Sequence, residues 1–423
     1  MDDFDASRAA ARMRDAESSL NGLRERFSVP KDGVYADGNS LGLHGQDAAA
    51  ALESAVAEWR ELGIEGWTEA EPPWFEYGER LGARLAGILG ANEDECVATN
   101  STTVNIHALV GTFLEAADGD QVVVNELDFP TDHYAIRAQM RARGIDPAEN
   151  LVVVESRDGR TIEFDDVVDA VTDDTAIVFM PSVLYRSGQL LDVPRLTELA
   201  HEHDAYAGFD LAHSVGVVPH DLHDADVDFA VWCSYKYLNA GPGAIGGLYV
   251  HEDHFDLPPA LAGWWGHENE TQFDMRPEFT PASGAAAWQI GTVPVFAAAP
   301  LFGTLDVTEA AGIGSLRERS VNLTDYLIRL VDERLPECDV GTPIDADRRG
   351  GHVAVEHPNA ESLSRELRER GVVVDFRQPN VVRVAPSPYY VGFEDAWVIV
   401  DELRSVLDAD ERRTSSDEDS HVT

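Results

Sequence analysis

The sequence predicts an α/β protein: a large domain on a mixed, mostly parallel sheet, followed by a small α+β C-terminal domain. Three observations carry this. Between residues 95 and 234, short and uniformly apolar runs alternate with helical patterns, as in a sheet covered on both faces. Near residue 300 the pattern changes to one long helix and then short strands and helices. The 423 residues are too many for one small core and suit a large domain plus a smaller one.

The elements follow in order. Residues 1–27 and 45–63 read as amphipathic helices, and segment 1–60 is expected to pack on the small domain. ECVATN (95–100) is a strand, and STTVNIHALVGTFL (101–114) a helix opened by hydroxyl residues. QVVVNE (121–126), LVVVES (151–156), TAIVFMPSV (175–183), AYAGFDL (205–211) and VDFAVWCS (227–234) are strands. TDHYAIRAQMRARG and VPRLTELAHEHD are helices between them. The large domain spans 61–300 and the small one 301–408. In the small domain a helix covers about 304–334, strands cover 350–356, 371–376 and 380–386, and ESLSRELRER and FEDAWVIVDELRSVL are helices. Residues 409–423 read as a disordered acidic tail.

Composition limits the function. Against 32 Lys and Arg stand 77 Asp and Glu, a formal charge of −45, which repels nucleic acid and anionic membrane. Only two lysines occur, Lys31 and Lys236. Acid excess with lysine loss points to molar salt, where the Debye length is about 3 Å and like charges are screened. No apolar run of membrane-spanning length and no signal-type N-terminus are visible, so the expected compartment is the cytoplasm. Cys96, Cys233 and Cys338 fit neither a disulfide framework nor a zinc site.

Three motifs are weaker than they look. GPGAIG (241–246) matches a dinucleotide fingerprint but leads into IGGLYV, a strand where that motif needs a helix. GNSLG (38–42) matches a nucleophile elbow with Ser40, which would make a serine hydrolase, but too few strands precede it and no oxyanion loop is evident. HEHD (201–204) and HDLHD (220–224) lack metal-ligand spacing, and no metal is expected.

WCSYKYLNAGPG (232–243) carries the sharper signal. Lys236 follows an apolar strand and precedes a tight turn, at the strand ends where α/β sheets place their sites. A partly desolvated lysine is nucleophilic toward carbonyls, and arginine cannot replace it in a Schiff base. That suggests pyridoxal 5′-phosphate (PLP), whose partners are all present. Asp210 can hold the pyridine nitrogen, Ser101, Thr102 and Thr103 at a helix start can hold the phosphate, and Phe129 can stack on the ring.

From about 30 to 405 the chain resembles the kynureninases, PLP enzymes of the aspartate-aminotransferase-like fold. The blocks that carry the resemblance are DGNSLG (37–42), TNSTTVNIH (99–107), DFPTDHYAI (128–136), GFDLAHSVG (208–216), WCSYKYLNAGPG, GWWGHE (263–268) and NVVRVAP (380–386). The resemblance implies that Lys236 carries PLP. It places Thr102, Thr103 and Tyr235 at the phosphate, with Trp264 and Thr292 completing that region and Thr292 supplied by the second subunit of a homodimer. Phe129 stacks, and Asp210 with Asp132 and His213 holds the pyridine side. Arg383 clamps the substrate carboxylate, and Trp67, Asn39 and Ser40 lie on the substrate side. One departure stands out: Pro181 occupies a position where the family often has a hydroxyl, with Ser182 beside it. The activity implied is hydrolysis of L-kynurenine to anthranilate and L-alanine, in tryptophan degradation or NAD synthesis, with Lys236 as base and Tyr235 as proton donor. A desulfurase-like or aminotransferase-like PLP enzyme is the alternative within the fold.

Overall fold

The computed structural model describes residues 4–31 and 33–420. Its centre is a seven-stranded sheet of β2 (Cys96–Ala98), β3 (Gln121–Asn125), β4 (Leu151–Val154), β5 (Thr175–Pro181), β6 (Tyr206–Asp210), β7 (Phe229–Cys233) and β8 (Gly246–Val250), preceded in the chain by the short strand β1 (Val34–Tyr35). The spatial order is β2-β8-β7-β6-β5-β3-β4. Pairs from β4 through β7 are parallel, and β8 runs antiparallel to both its neighbours. The mixed, mostly parallel sheet read from the sequence is therefore present. GPGAIG leads into β8, a strand, as its pattern implied.

The sheet is apolar throughout because both faces are covered. Along β5, Ile177 and Phe179 enter one core cluster while Val178 and Met180 enter the other. Phe229 and Val231 alternate in the same way with Ala230 and Trp232 on β7. This is the two-residue period of a strand read out on two buried faces.

The helices are α1 (Arg8–Glu17), α2 (Gln46–Leu62), α3 (Gly66–Glu69), α4 (Tyr77–Leu89), α5 (Thr102–Ala116), α6 (Pro130–Ala142), α7 (Pro147–Asn150), α8 (Phe164–Ala170), α9 (Val193–His201), α10 (Val295–Ala311), α11 (Ile313–Arg334), α12 (Ala360–Glu369) and α13 (Phe393–Ser420). The single helix expected over 304–334 is two. Gly312 stands between α10 and α11 with φ +77°, a left-handed backbone that ends one helix and lets the chain turn into the small domain. The N-terminal segment is also divided. Ala11 of α1 packs in the small-domain core, whereas Ala55 and Leu62 of α2 join the core of the large sheet, beside α4 and α10. The small domain pairs β9 (Asp339–Val340), β10 (Val353–Glu356), β12 (Asp375–Arg377) and β13 (Val381–Val384) as an antiparallel sheet in the order β12-β13-β10-β9, and β11 (Val372–Val373) pairs β1. Helix α13 runs to Ser420, so the segment expected to be a disordered tail is helical from 409 to 420. Residues 421–423 lie outside the described residues. Among the described residues, no helix is long and apolar enough to cross a membrane.

Candidate active site

The parallel strands deliver their carboxyl ends to one place. β3 is followed by Asp128, Phe129 and Asp132, β6 ends on Asp210 with His213 one turn on, and β7 leads into Ser234, Tyr235 and Lys236. This is the edge where open α/β sheets hold ligands.

Lys236 Nζ lies 2.8 Å from His213 Nε2. Burial, then the charge of Lys236, keeps the His213 imidazole well below its ordinary value and so neutral. An amine donating to Nε2 leaves the ring proton on Nδ1, and that nitrogen is buried without a partner. Asp210 is buried and accepts from the Ala212 amide at 2.8 Å. Burial raises its carboxyl, while Lys236 pulls the other way. Asp132, on the first turn of α6, is fully buried and neither carboxylate oxygen has a hydrogen bond. Burial, reinforced by Asp210 and Asp128, pushes it well above the usual carboxylate range. The Ser234 hydroxyl and both side-chain amide atoms of Asn39 are likewise buried and unpartnered.

Unsatisfied buried polar atoms cost about 1–3 kcal/mol each and are rare in native proteins. Here they gather around one lysine. The set offers carboxylates, a neutral imidazole, a hydroxyl and an amide to a polar ring, and the residues fit PLP. Ser101 caps α5 without using its side chain, and Thr102 and Thr103 follow on the first turn. Thr103 Oγ1 pairs with Thr131 Oγ1 at 2.8 Å. Hydroxyls and free amides at the start of a 15-residue helix suit a phosphate. Phe129 is 46 % exposed, with its ring edge-on to Tyr185 at 5.5 Å, so a face is open for stacking. The Cys233 thiol and burial hold the Tyr235 hydroxyl above its ordinary value, which keeps it protonated.

The GNSLG loop reaches this cluster from the other end of the chain. The Gly42 amide donates to Tyr235 O at 2.8 Å. A Cβ on Gly42 would stand 2.5 Å from both Lys236 O and Asn239 Oδ1, so glycine is needed for the loop to lie against the lysine turn. Ser40 is not a poised nucleophile. Its Oγ donates to Asp375 Oδ2 at 2.9 Å and accepts from Arg383 Nη2 at 2.7 Å. Arg383 is 1 % exposed on β13, and its Nε and Nη2 donate to Asp375 at 2.9 and 2.5 Å. Its Nη1 donates to Tyr185 O at 2.6 Å.

Ser182 does not take over for the hydroxyl missing at Pro181. Its Oγ is committed to Ser214 Oγ at 2.7 Å, in the interior behind Asp210. Pro181 is tolerated because β3 pairs with β5 only as far as Val178, leaving no ladder partner for the missing amide. Trp67, Trp264 and Thr292 are not brought to Lys236 by any hydrogen bond, ion pair or ring contact among the described residues. Trp67 packs against Trp74, Phe75 and Trp265, Trp264 against Trp265 and Phe273, and Thr292 is exposed.

Sequence reasoning missed His352, just before β10. It is fully buried, both ring nitrogens lack partners, and its ring lies 5.8 Å from that of His213. It also missed Asp375 and Arg377, although strand alternation in VVVDFR puts both on one face of β12. The histidine-rich stretches are accounted for by acidic partners: His201 and His254 hold Asp228, and His223 lies 2.9 Å from Glu95. Glu95, His223 and His251 do cluster within 4.8 Å, but backbone amides of Asn92 and Glu252 already satisfy the Glu95 oxygens.

Comparison with known proteins agrees with this geometry. Residues 316–403 match the Kynureninase C-terminal domain family and residues 74–229 the DegT/DnrJ/EryC1/StrS aminotransferase family. The kynureninase of Geobacillus thermodenitrificans (strain NG80-2) is 43% identical over 411 residues, 96% of each chain. That of Bacillus mycoides (strain KBAB4) is 45% identical over 400 residues, 94% of each. Among solved structures, a cysteine desulfurase from Thermococcus onnurineus NA1 superposes with TM-score 0.79 at 18% identity, covering 92% of this chain and 98% of the other. The cysteine desulfurase CsdA from Escherichia coli gives 0.77 at 19%, covering 92% and 99%. The structural likeness carries the fold alone; the sequence relatives carry the family. The chain belongs to the kynureninase family.

Proposed function

We propose that this member of the kynureninase family binds PLP on Lys236 and hydrolyses the Cβ–Cγ bond of L-kynurenine to anthranilate and L-alanine. The observation that carries the reading is the cluster of Lys236 with neutral His213 and the unpartnered carboxylate of Asp132. When bound, PLP supplies an electron sink for negative charge on the substrate carbons. The chain's residues do the rest. Asp210 and Asp132 provide the negative charge that keeps a pyridine nitrogen protonated. The start of α5, with Thr102 and Thr103, holds the phosphate, and Phe129 stacks. Lys236 is the base that removes the Cα proton, and His213 at 2.8 Å fixes where its amine points. Tyr235, kept protonated, is the donor to the carbon left after cleavage. Arg383 sits where it can meet the substrate carboxylate.

Trp67, Trp264 and Thr292 are proposed to serve the site of a second copy, in a homodimer with the active site at the interface. Their exposure and their separation from Lys236 within one chain support this. L-Kynurenine is preferred over its 3-hydroxy form because Trp67 and the Gly291-Thr292 pair offer little polarity on the substrate side. The acidic composition fits a cytoplasmic enzyme working in high salt.

The test uses protein purified in molar KCl with PLP, given L-kynurenine and followed by anthranilate fluorescence. Fluorescence should rise with the wild type and fall by at least ~10³-fold in Lys236→Ala, in line with the loss of a general base. A variant turning over near the wild-type rate would sink the mechanism. A borohydride-sensitive yellow band without anthranilate would keep the cofactor and move the reading to another amino acid.

A further inference from the structure

Arg383 was expected to clamp the substrate carboxylate, but its donors are nearly spent inside the chain. A guanidinium has five N–H groups. Nε and one Nη2 hydrogen go to the two oxygens of Asp375, the second Nη2 hydrogen to Ser40, and one Nη1 hydrogen to Tyr185 O. One N–H remains, so a two-pronged grip on a second carboxylate is closed off while Asp375 stays in place.

Arg377 differs. It lies two residues after Asp375 on the same face of β12, and Asp375 sits directly across from Arg383 in the β12–β13 register. Arg377 Nη2 reaches Asp375 Oδ2 at 2.8 Å and Ser40 Oγ at 3.3 Å. Its Nε is buried with no partner, and among the described residues its Nη1 makes no hydrogen bond. The side chain keeps 37% of its surface open, against 1% for Arg383. Its charge is felt at both His213 and His352, so it faces the chamber that holds Lys236. Two guanidinium groups share Asp375, and the other acid nearby, Asp37, faces Arg368 at 3.9 Å. One positive charge is left without a carboxylate.

We infer that Arg377 is a substrate-binding residue: its free N–H groups, with the last one on Arg383, take the α-carboxylate of the amino-acid substrate, while Asp375 holds both arginines in place. This rests on the amino-acid substrate proposed above. It assigns Arg383 a single-pronged contact and places the main charge partner six residues earlier in the chain.

The test compares PLP-loaded wild type with Arg377→Met and Arg377→Lys. Two readouts are taken: kcat and KM for L-kynurenine, and Kd for L-alanine from the cofactor absorbance, set against the Kd of the decarboxylated amine of kynurenine. Arg377→Met should raise KM and the L-alanine Kd roughly 10- to 100-fold, the range for a hydrogen bond to a charged group, with kcat changed only a few-fold. Arg377→Lys should recover part of the loss, and amine binding should not change. Equal weakening of amino acid and amine, or no weakening of either, overturns the inference. If the wild type binds L-alanine but does not cleave L-kynurenine, the reaction reading falls while the alanine and amine titrations still judge Arg377. A wild type that binds no α-amino acid overturns both.

Discussion

Around Lys236, at the strand ends of the large sheet, buried polar atoms stand without partners: both Asp132 oxygens, His213 Nδ1, Ser234 Oγ and the Asn39 amide. Around Arg383, on the small sheet, Asp375, Ser40, Tyr185 O and two arginines answer one another at 2.5–3.3 Å. The first region is incomplete without a ligand, and the second is nearly complete without one. A cofactor that stays can be relied on to satisfy the groups around it, so the chain leaves them bare. A substrate that comes and goes cannot, so the charges that receive it are kept neutralised between turnovers. Burying a charge unpaired costs more than either arrangement can return.

The largest effect that would test this contrast is Arg383→Ala. Removing one partner of a buried ion pair costs about 3–5 kcal/mol. The loss should fall at the lower end, because Arg377 stays 2.8 Å from Asp375. Denaturant unfolding of the PLP-free protein in molar KCl measures it. Lys236→Ala, which removes a half-buried amine from the unsatisfied region, should cost clearly less. If the two variants lose equal stability, the regions do not differ as argued.

Gly42→Ala strikes the loop that joins them. The new Cβ would meet Lys236 O, Asn239 Oδ1 and Asn239 Cα at 2.5, 2.5 and 2.7 Å, all but one of them backbone. Overpacking of this kind costs about 1–3 kcal/mol. The cofactor absorbance band should shift as the lysine turn moves. An unchanged band and melting point would show that the loop gives way instead.

Asp132→Asn reads the unsatisfied region through pH. The Asp132 carboxyl is raised in the folded protein, so folding is favoured while it is protonated. That stability is fully present below the unfolded value of about 3.9 and is lost as pH rises through the folded value. The slope for one proton is about 1.4 kcal/mol per pH unit. His213 and His352 act oppositely: lowered in the fold, they give stability that is present above about 6.5 and lost as pH falls. The PLP-free Asp132→Asn variant should therefore lose the decline on the alkaline side of pH 4 and keep the acid loss below 6.5. An unaltered profile would mean that Asp132 is ionised and paired in the fold.

The large domain was legible because its strands are buried on both faces and its site residues end those strands. Lys236 stood out by rarity, and Asp210 by closing an apolar run. The break at Gly312 was hidden because α10 and α11 are both helical and nothing but one glycine separates them. Asp375, Arg377 and His352 were missed for a different reason. Their meaning lies in cross-strand register and in contact with a loop more than 300 residues away, as between Ser40 and Asp375, and no local pattern encodes that. Ser40 itself was noticed for the wrong chemistry.

That makes Ser40→Ala the smallest but most discriminating change. A serine nucleophile needs a base within reach, and the partners of this hydroxyl are a carboxylate and two guanidinium groups that hold it in a charge network. Removing it deletes hydrogen bonds to charged groups that otherwise satisfy one another, for about 1 kcal/mol, or roughly fivefold in an equilibrium constant. The expected result is a fivefold rise in KM for L-kynurenine with kcat nearly kept, because the arginines lose one fixed neighbour and not their charge. A fluorophosphonate should label neither wild type nor variant. Labelling of the wild type that disappears with Ser40, together with loss of kcat, would return the elbow motif to the centre and leave the lysine cluster without a role.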